Sequence, residues 1–497
     1  MKNNQGRRSL AIVAVSIVVL SVIAMAPSGR RQAVSGGPGA EAAFDDAVDT
    51  AGAAAEGAAA EGGAVEGAAA EGTAVAGSGP AAASGSKATA KGGATTECAA
   101  GRNGGNTDRG VTASSIKLAA TNVRSGTGSS FLGTAYIGMQ AVVNKVNAQG
   151  GVCGRLLSLR MVDDGWDPAM GATFIQNFTK QDYFALPVVP SSEGLTQSIL
   201  NGTISSAGMP VVGSDGMLKE QYSDPWVWPV ATATVTTLRV MAKHAHDKGA
   251  KTFGIVYDTK YKFGKEGAAA FRDYVKQLTG SPPKADVGIT PGKPSYSGDA
   301  NAFNNACGAG GCDFVAMLLD PTTANVYISS NTDADGRRQG FGRVLTGGAQ
   351  PLFNDRFARD CGKPCDGMLV WTGYNPPVGA LSGLAGVSSY VNDVRSVDPG
   401  IDVNNQFLEG AYLGMQVFVE ALKTVGPNVT RAALRDAMNA MTYRSDLASP
   451  LTWGPNQRFA NQGAQAFRIA TAAGSFAGFA DAGTGFIKDP TPGVVPK

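Results

Sequence analysis

Charge is scarce in this chain: Lys plus Arg number 42 and Asp plus Glu 40 among 497 residues, 16 % in all, against roughly a quarter in ordinary globular proteins. The formal net charge of +2 leaves no basic footprint for a phosphate backbone, which excludes nucleic acid as a partner. Histidine occurs only as His244 and His246. Two residues apart on a helix they point about 200° away from each other, so they cannot share a metal as an HExxH pair does. The chain also lacks GxSxG, a Walker loop, a GxGxxG after a strand, and any CxxC. Without those motifs the reading is of a protein that is not an enzyme and needs no cofactor.

What is present begins with export. MKNNQGRR precedes a mostly apolar run from Leu10 to Ala26, broken only by Ser16 and Ser21. Residues 1–30 read as a signal peptide, with Ala24 and Ala26 as the small-residue cleavage pattern, or as a retained N-terminal membrane anchor, since about 17 apolar residues approach a span. Pro27 weighs against cleavage, so both readings stand. In either case the body is extracytoplasmic, secreted or anchored. No cysteine follows the apolar run to accept a lipid.

Residues 31–108 are an Ala/Gly/Ser/Glu stretch containing EGAAA EGGAV EGAAA EGTAV, with Glu56, Glu61, Glu66 and Glu71 five apart. A period of five fits neither helix nor strand, and the recurring glycines each cost about 1 kcal/mol in a helix. A disordered, mildly acidic tether is expected. Six cysteines in an exported chain favour disulfides. Proximity suggests Cys307 with Cys312 and Cys361 with Cys365, which leaves Cys98 with Cys153; connectivity is not deducible from sequence alone, and a zinc site of C-x4-C and C-x3-C is the alternative.

After Val111 short apolar runs alternate with helical patterns, the signature of helix-covered parallel sheets. Candidate strands are 116–122, 157–162, 184–189 and 210–213; a second series follows at 252–257, 286–290 and 314–319, then 343–346 and 368–372, before a long helix at 407–423. Gly150 and Gly151 stop the first helix. Asp167 and Pro168 supply the N-cap and first residue of the next. At this length several cores are expected.

The motifs NAQGGVCGR (147–155), VDDGWDP (162–168), AGMPVVG (207–213), GIVYDTKYKFGKEG (254–267) and CDFVAMLLDP (312–321) stand in an order that resembles the leucine/isoleucine/valine-binding protein family, extracytoplasmic substrate-binding receptors of ABC importers. The resemblance covers residues 111 to about 470. It implies an α/β fold of two doubly wound parallel-sheet lobes joined by a hinge, the type I periplasmic-binding-protein fold. Lobe 1 is expected over 109–231 plus about 372–440, and lobe 2 over 232–371 plus about 441–490. It implies capture of a small polar molecule (amino acid, amide or carboxylate) by hinge closure, with an ABC permease as membrane partner; a ligand sensor of the same fold is the alternative.

Ligand should lie where strand C-termini of the two lobes face each other. Ser191, Ser192 and Glu193 open a helix at such an end, where free N–H groups suit an electron-rich group, although a serine there is also an ordinary N-cap. By resemblance Asp215 and Gly216 form a second set of contacts, and Tyr261 and Phe263 an aromatic cover, against the plainer reading of the aromatics as core. The segment GKPSY replaces the family's acidic ammonium-holding segment, bringing Lys293 and Tyr296 to that place. A lysine there repels an ammonium, so the resemblance does not carry amino-acid specificity with it.

Overall fold

A computed structural model describes residues 98, 102–190, 192–332 and 345–493. The leader or anchor, nearly all of the tether, and Ser191 lie outside the described residues, as does the start of the strand expected at 343–346.

Strand β1 (Ser115–Asn122) pairs in parallel with β2 (Leu156–Asp163), and β3 (Leu186–Pro187), β4 (Val211–Val212) and β5 (Val227–Trp228) form a second parallel group. A parallel bridge from Leu118 to Ala185 joins the two groups. The order is therefore β2-β1-β3-β4-β5. The second lobe repeats it: β7 (Ala285–Ile289), β6 (Phe253–Asp258), β8 (Phe314–Leu318), β9 (Leu345–Gly348) and β10 (Leu369–Thr372) lie side by side in parallel. Two doubly wound units result, each with its reversal of strand order beside its first strand, where open α/β sheets take ligands.

Helices cover both faces. In lobe 1 the helices Ala135–Ala148 and Gln406–Val425 pack Ile137, Val142, Leu408, Tyr412 and Met415 against Ile116, Leu118 and Val188. On the other face Ile175, Phe178 and Leu195 meet Leu186, Val211 and Val227. Asp167 caps the Pro168–Lys180 helix, its carboxylate accepting from the amides of Ala169 and Met170 at 2.8 Å each.

The hairpin of β11 (Thr442–Ser445) and β12 (Ala448–Thr452) keeps Tyr443, Leu447 and Leu451 in the first lobe's core. The chain then enters the second sheet as β13 (Gly463–Ala472), antiparallel to β10 and followed by antiparallel β14 (Ser475–Asp481). The last crossing thus falls at Asn461, later than the expected 441, because the apolar residues of the hairpin fill the first core.

Three crossings lie side by side. Thr232 bridges Asn461 in parallel, Thr232 Oγ1 donates to the Gly463 carbonyl at 2.7 Å, and Asn461 Nδ2 donates to the Gly373 carbonyl at 2.9 Å. Disulfides Cys307–Cys312 and Cys361–Cys365 tie local segments, and Cys98–Cys153 joins residues 55 apart, with Cα separations of 5.0, 5.7 and 5.0 Å. Among the described residues no helix is long and apolar enough to cross a membrane.

Candidate functional site

The strand ends of the two lobes meet, and aromatic rings fill the junction. Trp166, on the loop after β2, stacks on Tyr261, on the loop after β6, with centroids 3.7 Å apart and planes 22° apart. Phe131 meets Trp166 edge-on at 5.2 Å and Phe407 at 5.2 Å. Phe263 lies 6.2 Å from Trp166. These contacts put first-lobe Val123, Phe131, Trp166, Met217 and Leu218 in one apolar cluster with second-lobe Leu238, Tyr261 and Phe263. The lobes are closed on one another.

Trp166 has φ of 64°, a left-handed conformation that is an outlier for a bulky residue. Its amide donates to Asp164 Oδ1 at 3.0 Å, holding the turn that swings the indole across the cleft. Strain of this kind gathers at functional sites.

Polar groups form a second layer of cross-lobe contact. Glu193, at the start of the Ser192–Leu200 helix, accepts from the amides of Lys262 at 2.6 Å and Phe263 at 3.3 Å. Those amides begin the Lys262–Thr279 helix of lobe 2, whose free N–H groups and dipole favour an anion. Burial nevertheless holds the Glu193 carboxyl above its ordinary range, outweighing the two hydrogen bonds. Glu220 pairs with Lys262, and the amide of Lys219 donates to Glu266 Oε1 at 3.2 Å. Glu266 is pushed up to about 7, by burial first and by the neighbouring charge of Glu220 second.

Beneath this layer, beside the crossings, lies a small cavity lined by Val188, Pro190, Ser214, Asp215, Tyr374 and Gln406, among others. Space for water-sized centres is ≈ 10 Å³, about one water molecule. Close backbone contact shapes it: a Cβ on Gly213 (φ +90°) would stand 2.5 Å from the Gly414 Cα. Both glycines are therefore needed for the Gln406–Val425 helix to rest on the end of β4. Asp215 Oδ1 accepts from Gln221 Nε2 at 3.0 Å and the Met217 amide at 3.4 Å. Gly216 donates to Gln221 Oε1 at 3.1 Å, and its carbonyl accepts from the Tyr222 hydroxyl at 2.7 Å.

The structure thus gathers Glu193, Asp215, Gly216, Tyr261 and Phe263 around the junction; Ser192 begins a helix there, and Ser191 lies outside the described residues. Lys293 and Tyr296 stand elsewhere. Lys293 Nζ pairs with Asp299 at 3.2 Å on the surface, while Tyr296 is in the second-lobe core with its hydroxyl on the Thr290 carbonyl at 3.1 Å. Lys293→Ala is expected to change stability by less than about 0.5 kcal/mol in urea unfolding and to leave ligand affinity unchanged; a tenfold affinity loss would return it to the site.

Trp166, Phe131, Gln406 and Tyr374 were not singled out from sequence. The tryptophan was hidden in VDDGWDP, whose carboxylates suffice to explain a turn and cap. Among the described residues no three His, Cys, Asp or Glu side chains are grouped to hold a metal ion. His244 packs edge-on against Trp371 at 5.3 Å.

Solved structures share the fold. A possible leucine/isoleucine/valine-binding protein from Rhodopirellula baltica SH 1 superposes with a TM-score of 0.62 at 15 % identity, covering 73 % of this chain and 96 % of that one. A fatty acid ABC transporter substrate-binding protein from Thermomonospora curvata gives 0.63 at 17 %, over 79 % and 96 %. An ABC transporter solute-binding protein from R. palustris in complex with 4-hydroxybenzoate gives 0.63 at 16 %, over 77 % and 100 %. No curated protein sequence matches the chain. Residues 115–475, spanning both lobes and all three crossings, match the periplasmic binding protein family, and the chain belongs to it.

Proposed function

We propose that this chain is the extracytoplasmic solute-binding component of an ABC importer, taking a small polar ligand between its lobes and presenting the closed form to a membrane permease. The apolar leader serves as its export signal or membrane anchor. The observation that carries the reading is the facing of two strand-order reversals across a closed junction whose wall is aromatic and whose floor carries Ser214, Asp215 and Gln406. A floor with room for about one water cannot admit a solute while the lobes touch. Ligand entry therefore requires opening about the Thr232, Gly373 and Asn461 crossings, and reclosure buries what has entered. Asp215, Trp166 and Tyr261 are the residues that contact it, with Ser192 beginning the adjoining helix.

A thermal-shift panel of amines, amino acids, carboxylates, amides and sugars tests this. A ligand at 100 times its Kd stabilises by about 2.7 kcal/mol, and Asp215→Ala and Tyr261→Ala are expected to remove the shift. A panel without a single stabilising compound would sink the reading, and a hit indifferent to both substitutions would move the site.

A further inference from the structure

Resting on the solute-binding reading, we propose that the ligand is an organic amine without a carboxylate, its primary ammonium seated in the cavity on the cleft floor. A few polar groups stand in an otherwise largely apolar floor. Ser214 Oγ and Gln406 Oε1 line it, are buried, and have no hydrogen-bond partner. Asp215 lines it too, and among the described residues no Lys, Arg or His side chain does. Gln406 and Gly410 belong to one turn of the helix that begins at Gln406, and both line the cavity. Tyr374 lines the same cavity, its hydroxyl 2.7 Å from where a Cβ on Gly410 would sit.

Buried acceptors without donors are costly, and an ammonium supplies three donors and a countercharge at once. Size agrees: room for about one water fits an –NH3+ group, whereas a carboxylate brings two oxygens and meets Asp215 as a like charge. One place suited to a ligand carboxylate in the second lobe is already filled. Glu193 occupies the amides that open the Lys262–Thr279 helix, so a zwitterion would have to displace the protein's own carboxylate. The remaining wall, Phe131, Trp166, Tyr261 and Phe407, suits an apolar or aromatic body and adds cation–π attraction.

Four probes sharing a phenyl body separate the charges: phenethylamine, 2-phenylethanol, phenylalanine and phenylacetate, titrated calorimetrically into the full-length protein. Phenethylamine is expected to bind at least about tenfold more tightly than the other three. Asp215→Asn is expected to weaken it about tenfold or more while leaving 2-phenylethanol unchanged. Tighter binding of phenylalanine, phenylacetate or 2-phenylethanol, or no binding of phenethylamine, overturns the inference. In those cases a hit in the broader thermal-shift panel keeps the solute-binding reading, and a panel without hits removes both. The wild-type comparison decides the matter even where a variant fails to fold.

Discussion

Arg155→Met is expected to lower unfolding stability by about 4 kcal/mol, read as a shift of the urea midpoint. The guanidinium is fully buried and donates to the carbonyls of Thr112 at 2.7 Å, Gly105 at 2.8 Å and Pro427 at 3.1 Å, and to that of Asn103. Four carbonyls from three separate segments would lose their donor, each costing about 1 kcal/mol or more when left buried. Methionine fills part of the volume, so the loss reports the hydrogen bonds more than a cavity. Asn103 braces the same corner, donating to the carbonyls of Ala113 at 2.6 Å and Cys153 at 3.1 Å, and Cys153 carries the disulfide to Cys98. Arg155→Lys should recover less than half, because an ammonium has three donors and no fork geometry. A loss under about 1 kcal/mol for the methionine variant would contradict this account.

Arg155 also marks how far sequence reached. NAQGGVCGR announced a helix stop and the start of a strand, and both are found; that its arginine would turn inward to collect carbonyls from residues near 105 and 427 was invisible, since it depends on tertiary neighbours. The strand–helix rhythm gave two parallel sheets because periodicity reports local burial. The third crossing was displaced to Asn461 because the hairpin at 442–452 is itself an ordinary two-strand pattern, and nothing in it says which core it fills. The same division runs through the site. Asp215, Tyr261 and Phe263, named by resemblance, follow strands near the reversal of strand order and lie at the junction, whereas Lys293 and Tyr296, named by the same resemblance, follow a strand at the sheet's outer edge, β7. Distance from the reversal of strand order decided between them, and strand order is not written in a single strand.

That closed junction should respond to pH through Glu266. Its carboxyl faces Glu220 from lobe 1, with Lys262 on its own helix and Lys219 opposite as counterweights, and Glu193 nearby on the same helix end. Raised from 4.5 to about 7, the group binds a proton more tightly in the closed protein than when exposed. Its contribution is then fully present below pH 4.5 and is lost as pH rises through about 7. The displacement corresponds to about 3 kcal/mol at most. Asp258 and Asp355, each pushed up to about 6 chiefly by burial, act in the same direction. Stability is thus expected to fall between pH 5 and pH 8. Glu266 and Glu220 approach each other only when the lobes meet, so solution scattering should also detect a more compact ligand-free protein at pH 5.5 than at pH 8.5. Glu266→Gln removes the titrating group but keeps an acceptor for the Lys219 amide, and should flatten the dependence of compactness on pH while leaving closure at pH 8.5 at least as complete. A variant as pH-sensitive as the wild type would place the switch on another carboxyl, and a wild type equally compact at both values would show that cross-lobe aromatic packing around Trp166 and Tyr261 outweighs the carboxylate repulsion.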